Sequence, residues 1–289
     1  MINNETITVV IFVYNEENYI NESLSAVLNQ TVQVDEIIVV DDFSTDSTKD
    51  IVQQYSEVHL IPSKKKGMAY ACETGLKLVD TDLFFICDGD DVIMNHYVEN
   101  MYEFIQSERI KYGYSNFIMT DEELTPKRFV NKKKYYDKYE MLCDCHTSGY
   151  LFGYSEIIEY LIPFPENISF HDWYMSIILS QEYGRNYVNN TPLFRYRRHK
   201  DADSYNLHKD RQKYLSLLVR SGEFLKVMGA GLSEDLSERI IKTRIHFYDA
   251  MIDPTLSKTV RVLASELFTW REKLSVSLFP ITLRLKYRW

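Results

Sequence analysis

The chain has 289 residues, which suits one large domain or one domain with an added lobe. Apolar residues make up 45% of it, enough for a sizeable core, and a 14% share of aromatic residues suggests polar grooves as well. The formal net charge of -9 argues against wholesale binding of nucleic acid, so we expect no such partner. The four cysteines show no regular spacing and no CxxC pair, which predicts reduced thiols in a cytoplasmic protein.

The amino terminus does not have the pattern of a signal peptide. Asn3, Asn4 and Glu5 interrupt any early apolar stretch. No uninterrupted apolar run approaches the roughly 20 residues of a membrane span. We therefore expect a cytoplasmic location.

The first hundred residues alternate between strand-like and helix-like patterns. Continuous β-branched runs predict buried strands, and periodic segments that follow polar residues predict helices. In chain order we predict a strand at 7–13, a helix at 15–30 capped by Asn15, a strand at 35–42, a helix at 44–56 opening with Ser44, a strand at 58–62, a helix at 67–79 and a strand at 82–88. This order predicts an α/β fold with a mostly parallel sheet and helices on both faces.

The rest of the chain is less regular. We predict a strand at 110–121, a charged loop at 123–138, an irregular segment at 146–200, and helices from about 208 to the end with a break at Gly229–Gly231. The predicted domains are an α/β domain at 1–205, with halves at 1–110 and 111–205, and a helical region at 206–289.

Acidic residues follow the second and fourth predicted strands. Asp41 and Asp42 end one strand, and Asp88, Asp90 and Asp91 follow the other. Parallel sheets bind ligands beyond the carboxyl ends of their strands. Like charges this close repel and cannot all be buried without a cation.

A hard divalent cation prefers oxygen ligands and often bridges substrate phosphates, so the turn after the fourth strand predicts a metal seat. The alternative is a solvated acidic turn that caps the next helix. An EF-hand is excluded, because Val92 and Ile93 occupy the positions of a ligand and of the required glycine. A zinc site at Cys143, Cys145 and His146 is a further alternative.

The turns after the first two strands, "VYNEEN" and "VVDDFSTDST", place polar residues where a ligand meets backbone amides. A nucleobase and a ribose need acceptors such as Asp or Glu. The alternative for Glu16, Asp41, Asp42 and Asp46 is helix capping and pairing with helix dipoles, and for Ser44 and Asp46 it is a strong one.

Four segments in order carry a resemblance to a known family. They are "VVIFVYNEENYINESLSAVLNQT", "DEIIVVDDFSTDST", "KKKGMAYACETGL" and "FFICDGDDV". Together they resemble the inverting family-2 glycosyltransferases of GT-A fold. The likeness extends to "SFHDWYMSI" and "PLFRYRRHKDADS", which look like segments of bacterial polysaccharide transferases in that family, and it covers residues 6 to about 205.

The resemblance implies roles for particular residues. It implies a catalytic base at Asp172, and it places His171 and Trp173 near the acceptor or the donor sugar. For the nucleotide it implies Val13, Tyr14, Glu16, Gly67, Asp90 and Asp42, or Asp41 in its place. For the metal and diphosphate it implies Asp88, Asp90, Asp91 and His199, with Mn²⁺ or Mg²⁺ as the cofactor.

Some of these residues have structural alternatives. Asp172 has the position of a helix N-cap, Trp173 suits a core, and His199 suits a solvated strand end. Phe12 and Val13 stand where the family has Pro-Thr, Phe43 stands where it has Gly, and Cys72-Glu73 stands where Arg-Asn is common. Losing that Arg removes a phosphate partner, which the lysines at 64–66 can replace.

The expected activity is a metal-dependent transfer of a sugar from a nucleoside-diphosphate donor, a UDP- or dTDP-sugar, to an acceptor hydroxyl in a cell-surface polysaccharide. The saccharide acceptor is free or lipid-linked, and a homo-oligomer is left open. One alternative is a non-catalytic module that binds a nucleotide sugar. A sugar-nucleotide pyrophosphorylase is another, but "VYNEEN" lacks the Gly-rich basic loop that it requires.

The carboxyl-terminal segment 277–289 suggests contact with the inner face of the plasma membrane. It holds Arg284, Lys286 and Arg288 and no acidic residue, among apolar residues and Trp289. Interfacial segments combine apolar insertion with attraction to anionic lipid. The alternative is that this end packs on the helical region or forms a dimer interface.

Overall fold

The computed structural model describes residues 4–143, 150–166, 168, 170–200, 202, 211–229 and 235–252. The chain divides into two compact units. The α/β unit comprises Met1–Glu166 and His171–Tyr205, and the helical unit comprises Asn167–Phe170 and Asn206–Trp289.

The first half of the α/β unit follows the predicted alternation. Its elements are β1 (Ile7–Val13), α1 (Ile20–Leu28), β2 (Glu36–Asp41), α2 (Thr48–Val52), β3 (Val58–Pro62), α3 (Met68–Leu76) and β4 (Leu83–Asp88). β1 pairs in parallel with β2 and with β4, and β3 pairs in parallel with β2. All four strands therefore end at one edge of the sheet, where the acidic residues lie.

Both early helices begin later than predicted. Asn15 adopts a left-handed conformation with φ of 57°, and its side-chain oxygen accepts the N–H of Thr45 at 2.8 Å. Ser44 accepts the N–H of Asn15 at 3.0 Å, and α2 begins only after Ser47. The predicted caps at Asn15 and Ser44 are wrong, because both side chains join the two turns to each other.

The second half contains more strands than predicted. Its elements are β5 (Val92–Ile93), α4 (Tyr97–Glu108), β6 (Tyr112–Thr120), β7 (Pro126–Val130), β8 (Tyr135–Asp137), α5 (Lys138–Cys143), β9 (Phe152–Tyr154), α6 (Ile158–Leu161), α7 (His171–Tyr183) and β10 (Arg185–Arg197). The strand order is β3-β2-β1-β4-β9-β6-β10-β5, with β7 on β6 and β8 on β10. β9 is antiparallel to both β4 and β6, so this half of the sheet is mixed.

The predicted charged loop at 123–138 is wrong, since it contains β7 and β8. β7 is an exposed strand that pairs with β6 alone, and Lys127, Arg128 and Phe129 on it face solvent. Charged side chains on an edge strand block pairing with other chains. Because its side chains are exposed and mostly not apolar, β7 lacks the apolar alternation by which a strand is predicted from sequence.

Helices cover both faces of the parallel strands, as predicted. Val9, Ile11 and Val13 of β1 belong to a core that includes residues of α1 and α4. On the opposite face α3 packs closely, because a Cβ atom on Gly75 would lie 2.2 Å from Val10. Phe12 points to the same side as Val10, and its ring lies 5.2 Å from that of His171 at the start of α7.

The helical unit contains α8 (Arg211–Gly229) and α9 (Asp235–Ile252). Phe224 and Leu225 of α8 and Ile240 and Ile241 of α9 are buried. Helices after residue 208 and an end of α8 at Gly229 match the prediction. No helix in the described ranges combines the length and apolar character that crossing a membrane requires. The predicted tail at 277–289 lies outside these ranges.

Candidate active site

The turns after β1 and β2 form one hydrogen-bonded platform. The N–H of Glu16 donates to the Thr48 hydroxyl at 2.8 Å, and the N–H of Asp42 donates to the Val13 carbonyl at 2.8 Å. With the Asn15–Ser44 and Thr45–Asn15 bonds, these contacts fix the position of both turns. Val13, predicted to bind the nucleotide, therefore lies directly beside Asp41 and Asp42, and Tyr14 and Glu16 follow it in the same joined turn.

The two carboxylates that end β2 are buried and have backbone partners. Asp41 accepts the N–H of Ser44 at 3.2 Å through both oxygens. Asp42 accepts the N–H of Gly67 at 2.7 and 2.9 Å, which joins two of the predicted nucleotide residues. Burial raises the pKa of Asp42, although the Gly67 N–H and the Lys66 amine oppose the shift.

Tyr14 stands at the open side of this platform. Its side chain is 37% exposed, and the amine of Lys66 lies 4.8 Å from the centre of its ring. One of the three lysines at 64–66 is thus placed beside the predicted nucleotide residues.

The turn after β4 concentrates negative charge. One carboxylate oxygen from each of Asp88, Asp90 and Asp91 lies within 4.8 Å of the others. Gly89 permits this turn, because a Cβ atom there would lie 2.5 Å from Val13. Burial, with the charges of Asp90 and Asp172, raises the pKa of Asp88 to about 8. Burial, with the charges of Asp90 and Asp88, raises the pKa of Asp91 as well, against the N–H of Arg197.

Arg197 at the end of β10 provides the main positive charge beside this turn. Its backbone N–H donates to Asp91 Oδ1 at 2.7 Å, and its Nε donates to the Asp90 carbonyl at 2.7 Å. Its guanidinium also donates to the Glu122 carbonyl at 2.6 Å and pairs with the Glu22 carboxylate. These contacts connect the acidic turn to α1 and to the loop after β6. Only 3% of Arg197 is exposed.

His199 lies two residues further on and meets Asp90. Its Nε2 is 2.9 Å from Asp90 Oδ2, and its ring packs against that of Tyr19 at 4.5 Å. Its Nδ1 is buried and has no hydrogen-bond partner. Ligand atoms of Glu16, Asp90 and His199 form a second group within 4.8 Å. His199, which the sequence left open as a solvated strand end, is instead 3% exposed.

The predicted base lies in the first turn of α7. Asp172 follows His171, the first residue of the helix, so it is not the N-cap that the sequence left open. Its charge raises the pKa of both Asp88 and Cys72, which places its carboxylate in the same environment as the acidic turn. Burial lowers the pKa of His171, against the opposing charge of Asp172.

Trp173 is placed in the interior. Only 3% of it is exposed, and its indole N–H donates to the Met141 carbonyl. This position favours the core role that the sequence left open over stacking on a sugar.

The acidic turn fits a hard divalent cation. It offers three carboxylates with oxygens close together, and two of them have pKa values that their burial raises. Asp91 Oδ2 is buried and accepts no hydrogen bond of ordinary length. A bound cation would satisfy this oxygen and relieve the repulsion between the acids. The zinc alternative depends on side chains outside the described residues.

Sequence reasoning missed two residues of the site. One is Arg197, which was visible only as part of the basic cluster "RYRRHK". The other is Tyr150, whose hydroxyl accepts the N–H of Asp88 at 3.4 Å. Each reaches the acidic turn from more than 50 positions away in sequence, so local spacing gives no signal for either.

Curated relatives match part of this chain in sequence. Glycosyltransferase GlyG of Streptococcus pneumoniae is 32% identical over 123 residues, which cover 41% of this chain and 41% of the relative. The UDP-Glc:alpha-D-GlcNAc-diphosphoundecaprenol beta-1,3-glucosyltransferase WfaP of Escherichia coli is 31% identical over 116 residues, covering 39% and 46%. The chain thus covers less than half the length of these relatives.

Solved structures of Staphylococcus aureus TarS, residues 1–349, share the fold. The complex with UDP-GlcNAc gives a TM-score of 0.60 at 17% identity, over 89% of this chain and 78% of that one. The complex with UDP gives 0.59 at 15%, over 98% and 89%. This likeness concerns the fold alone, and it agrees with the predicted GT-A fold.

The sequence model of the family described as "Glycosyl transferase family 2" matches residues 8–158, just over half of the 289-residue chain. The matched segment runs from β1 to the start of α6 and includes the acidic turn. It ends before α7, which contributes Asp172, and before the end of β10 and the residues after it, which contribute Arg197 and His199. The chain belongs to glycosyl transferase family 2.

Proposed function

We propose that the chain is a metal-dependent, inverting glycosyltransferase that transfers a sugar from a nucleoside-diphosphate donor to an acceptor hydroxyl during cell-surface polysaccharide biosynthesis. One observation carries the proposal above the others. Three crowded carboxylates, two with raised pKa values, lie at the carboxyl edge of the parallel strands, beside the platform that holds the buried carboxylates of Asp41 and Asp42. Membership of glycosyl transferase family 2 indicates that the reaction at this site is the transfer of a sugar.

The platform after β1 and β2 binds the nucleotide in this proposal. Tyr14 offers an exposed ring, and the carboxylates of Asp41 and Asp42 offer acceptors for N–H groups of a base. Lys66 supplies a positive charge near the same place. The other assigned residues are Val13, Glu16 and Gly67, with Asp90 for the ribose.

Asp88, Asp90 and Asp91 would hold the divalent cation, and His199 positions Asp90 through their hydrogen bond. When bound, a divalent cation stabilises the negative charge that develops on the departing diphosphate. Arg197 brings a positive charge to the acidic turn, and the Lys66 amine brings one to Asp42.

Asp172 acts as the general base. The acceptor hydroxyl is a weak nucleophile, so its oxygen attacks the anomeric carbon as its proton passes to the Asp172 carboxylate. The bond from the anomeric carbon to the diphosphate oxygen breaks in the same displacement, and the electron pair leaves with the diphosphate. A single displacement inverts the anomeric centre. His171 holds the start of α7 against Phe12 and so positions Asp172.

Relatives support the choice of donor and acceptor. The name of WfaP includes a UDP-Glc donor and a diphosphoundecaprenol acceptor. A Bacillus subtilis relative, 29% identical over 118 residues, is a putative teichuronic acid biosynthesis glycosyltransferase. TarS has been crystallised with UDP and with UDP-GlcNAc. We therefore propose a UDP-sugar donor and a lipid-linked saccharide acceptor.

Calorimetry with UDP tests the proposal. We expect Mn²⁺ to strengthen UDP binding to the wild type, and Asp91→Asn to weaken this dependence. Asp80→Asn, a change at an exposed acid that precedes β4 and is separated from the turn by that strand, is the matched control. Equal UDP affinity with Mn²⁺ and with EDTA would overturn the metal dependence. Slow hydrolysis of a UDP-sugar distinguishes an enzyme from a non-catalytic binding module.

Membrane contact by the tail at 277–289 is a separate part of the proposal. Each basic residue near an anionic surface contributes about 1 kcal/mol, so three give reversible contact rather than stable anchoring. In low salt, the full chain should sediment with anionic vesicles more than a chain ending at Ser277. Equal sedimentation would assign the tail a structural role.

A further inference from the structure

Phe43 has a backbone conformation that does not suit its side chain. It follows Asp42 at the end of β2, with φ of 64°, in the left-handed region where glycine is free of strain. A bulky residue with positive φ is an outlier, and such outliers concentrate at functional sites. Its ring is nonetheless 49% exposed, so burial in the core does not compensate for the strain.

Contacts on both sides of Phe43 hold the backbone in this conformation. Asp41 accepts the N–H of Ser44, and Asp42 accepts the N–H of Gly67. Ser44 in turn accepts the N–H of Asn15. Asp42 and Ser44 are each 4% exposed, so the residues on either side turn inward while the ring between them stays outside.

The location of the ring identifies its ligand class. The two residues that flank Phe43 contact neighbouring segments: Ser44 accepts the N–H of Asn15, next to the exposed Tyr14, and Asp42 accepts the N–H of Gly67 at the start of α3. Two exposed aromatic residues thus accompany the buried carboxylates of Asp41 and Asp42. Flat apolar faces beside hydrogen-bond acceptors suit a nucleobase, which has a π face and polar edges.

We propose that Phe43 is a stacking residue for the nucleobase of the donor, an added contact that a glycine at this position would not make. The inference rests on the proposed function, because it requires that this platform binds the nucleotide. Stacking is tolerant of base identity, so Phe43 adds affinity for the base in general, and the polar groups of the platform select among bases.

Four variants separate stacking from a structural role. Phe43→Asn suits the left-handed conformation and removes the ring, Phe43→Leu keeps apolar bulk without a flat face, and Phe43→Tyr and Phe43→Trp keep the face. Phe129→Ala is the control, since Phe129 is a 68% exposed aromatic residue on the edge strand β7. The probes are UDP, which carries the base, and inorganic diphosphate, which does not, both with Mn²⁺.

We expect Phe43→Asn and Phe43→Leu to weaken UDP binding about tenfold, as removal of a stacked ring does, and to leave diphosphate binding unchanged. The Tyr and Trp variants should bind UDP within about twofold of the wild type. Phe43→Asn should unfold at the wild-type temperature or above it, because it relieves backbone strain. Phe129→Ala should bind both probes as the wild type does.

Failures of the two proposals are distinguishable. If the wild type binds no nucleoside diphosphate, both the proposed function and this inference are overturned. If it binds UDP and Phe43→Asn binds equally well, only the stacking role is overturned. Equal loss of UDP and diphosphate binding, or a clearly lower unfolding temperature for Phe43→Asn, would assign Phe43 a structural role and overturn the inference.

Discussion

Acidic residues lie at both edges of the parallel strands β1–β4, and their surroundings differ. At the amino edge, Asp82 accepts the N–H of Thr6 at 2.8 Å and its hydroxyl at 2.9 Å, and Asp35 accepts the N–H of Ile7 at 2.8 Å. The hydrogen bonds from Thr6 lower the pKa of Asp82. These carboxylates tie the start of β1 to its neighbours.

At the carboxyl edge, three acids have a pKa shift of the opposite sign. Burial raises the pKa values of Asp42, Asp88 and Asp91, and the acids of the turn raise one another's further. At the amino edge, backbone N–H groups of Thr6 and Ile7 donate hydrogen bonds to the carboxylates. At the carboxyl edge, the carboxylates of Asp88, Asp90 and Asp91 lie close enough together to repel one another. Asp82 therefore stabilises the fold, whereas the charged forms of Asp42, Asp88 and Asp91 are destabilising until a ligand binds.

The largest effect should come from removing the cation that opposes the carboxyl-edge acids. Arg197→Met keeps a long apolar side chain but loses the hydrogen bonds to Asp90 and Glu122 and the ion pair with Glu22. We expect a loss of about 3 kcal/mol in the free energy of unfolding, measured by urea denaturation. Arg128→Met on the exposed strand β7 is the control, with a change below about 0.5 kcal/mol. Similar losses in both variants would contradict a special role for Arg197.

Asp172→Asn should affect turnover rather than binding. The amide keeps the size of the carboxylate but cannot take the acceptor proton, so transfer should fall roughly 10²-fold or more. UDP affinity with Mn²⁺ should barely change. The comparison is with Glu182→Gln near the other end of α7, which should keep wild-type transfer. Transfer by Asp172→Asn close to the wild-type rate would rule out Asp172 as the base.

Much of the parallel half could be predicted, because its strands are rich in apolar residues and its acids occur at strand ends. The strands β7 and β8 could not, since short exposed strands rich in Lys and Tyr lack apolar alternation. Helix starts were misplaced because Asn15 and Ser44 use their side chains between turns instead of as caps. The link from Arg197 to Glu22 spans 175 positions, and only the folded sheet brings such residues together.

Asp88→Asn tests the comparison between the two edges of the sheet, because we expect this substitution to raise the stability of the metal-free protein. In EDTA at pH 7, the Asp88 carboxyl of the folded protein is mostly protonated, because its pKa is about 8. The same group in the unfolded chain has a pKa near 3.8 and is ionised, so folding must take up a proton, which lowers stability at this pH. An amide needs no proton, so the variant should be more stable than the wild type, by about 1 kcal/mol or more. Mn²⁺ should raise the unfolding temperature of the wild type more than that of Asp88→Asn. A less stable metal-free variant would contradict the view of this edge as destabilising.

We expect the smallest change in stability from Asp82→Asn at the amino edge. This substitution should lower stability, whereas Asp88→Asn should raise it. The folded-state pKa of Asp82 lies below its ordinary value of 3.8, so its contribution to stability is present above that value and is lost as the pH falls through the folded-state pKa. An asparagine oxygen still accepts a hydrogen bond from Thr6, but without the charge. Asp82→Asn should therefore unfold at a slightly lower temperature than the wild type at pH 7, and the difference should shrink as the pH falls below about 3.8. Thermal unfolding at several pH values measures this, and NMR titration of the Asp82 carboxyl gives its pKa directly. A difference that is independent of pH, or a carboxyl that titrates above its ordinary value, would remove the contrast between the two edges.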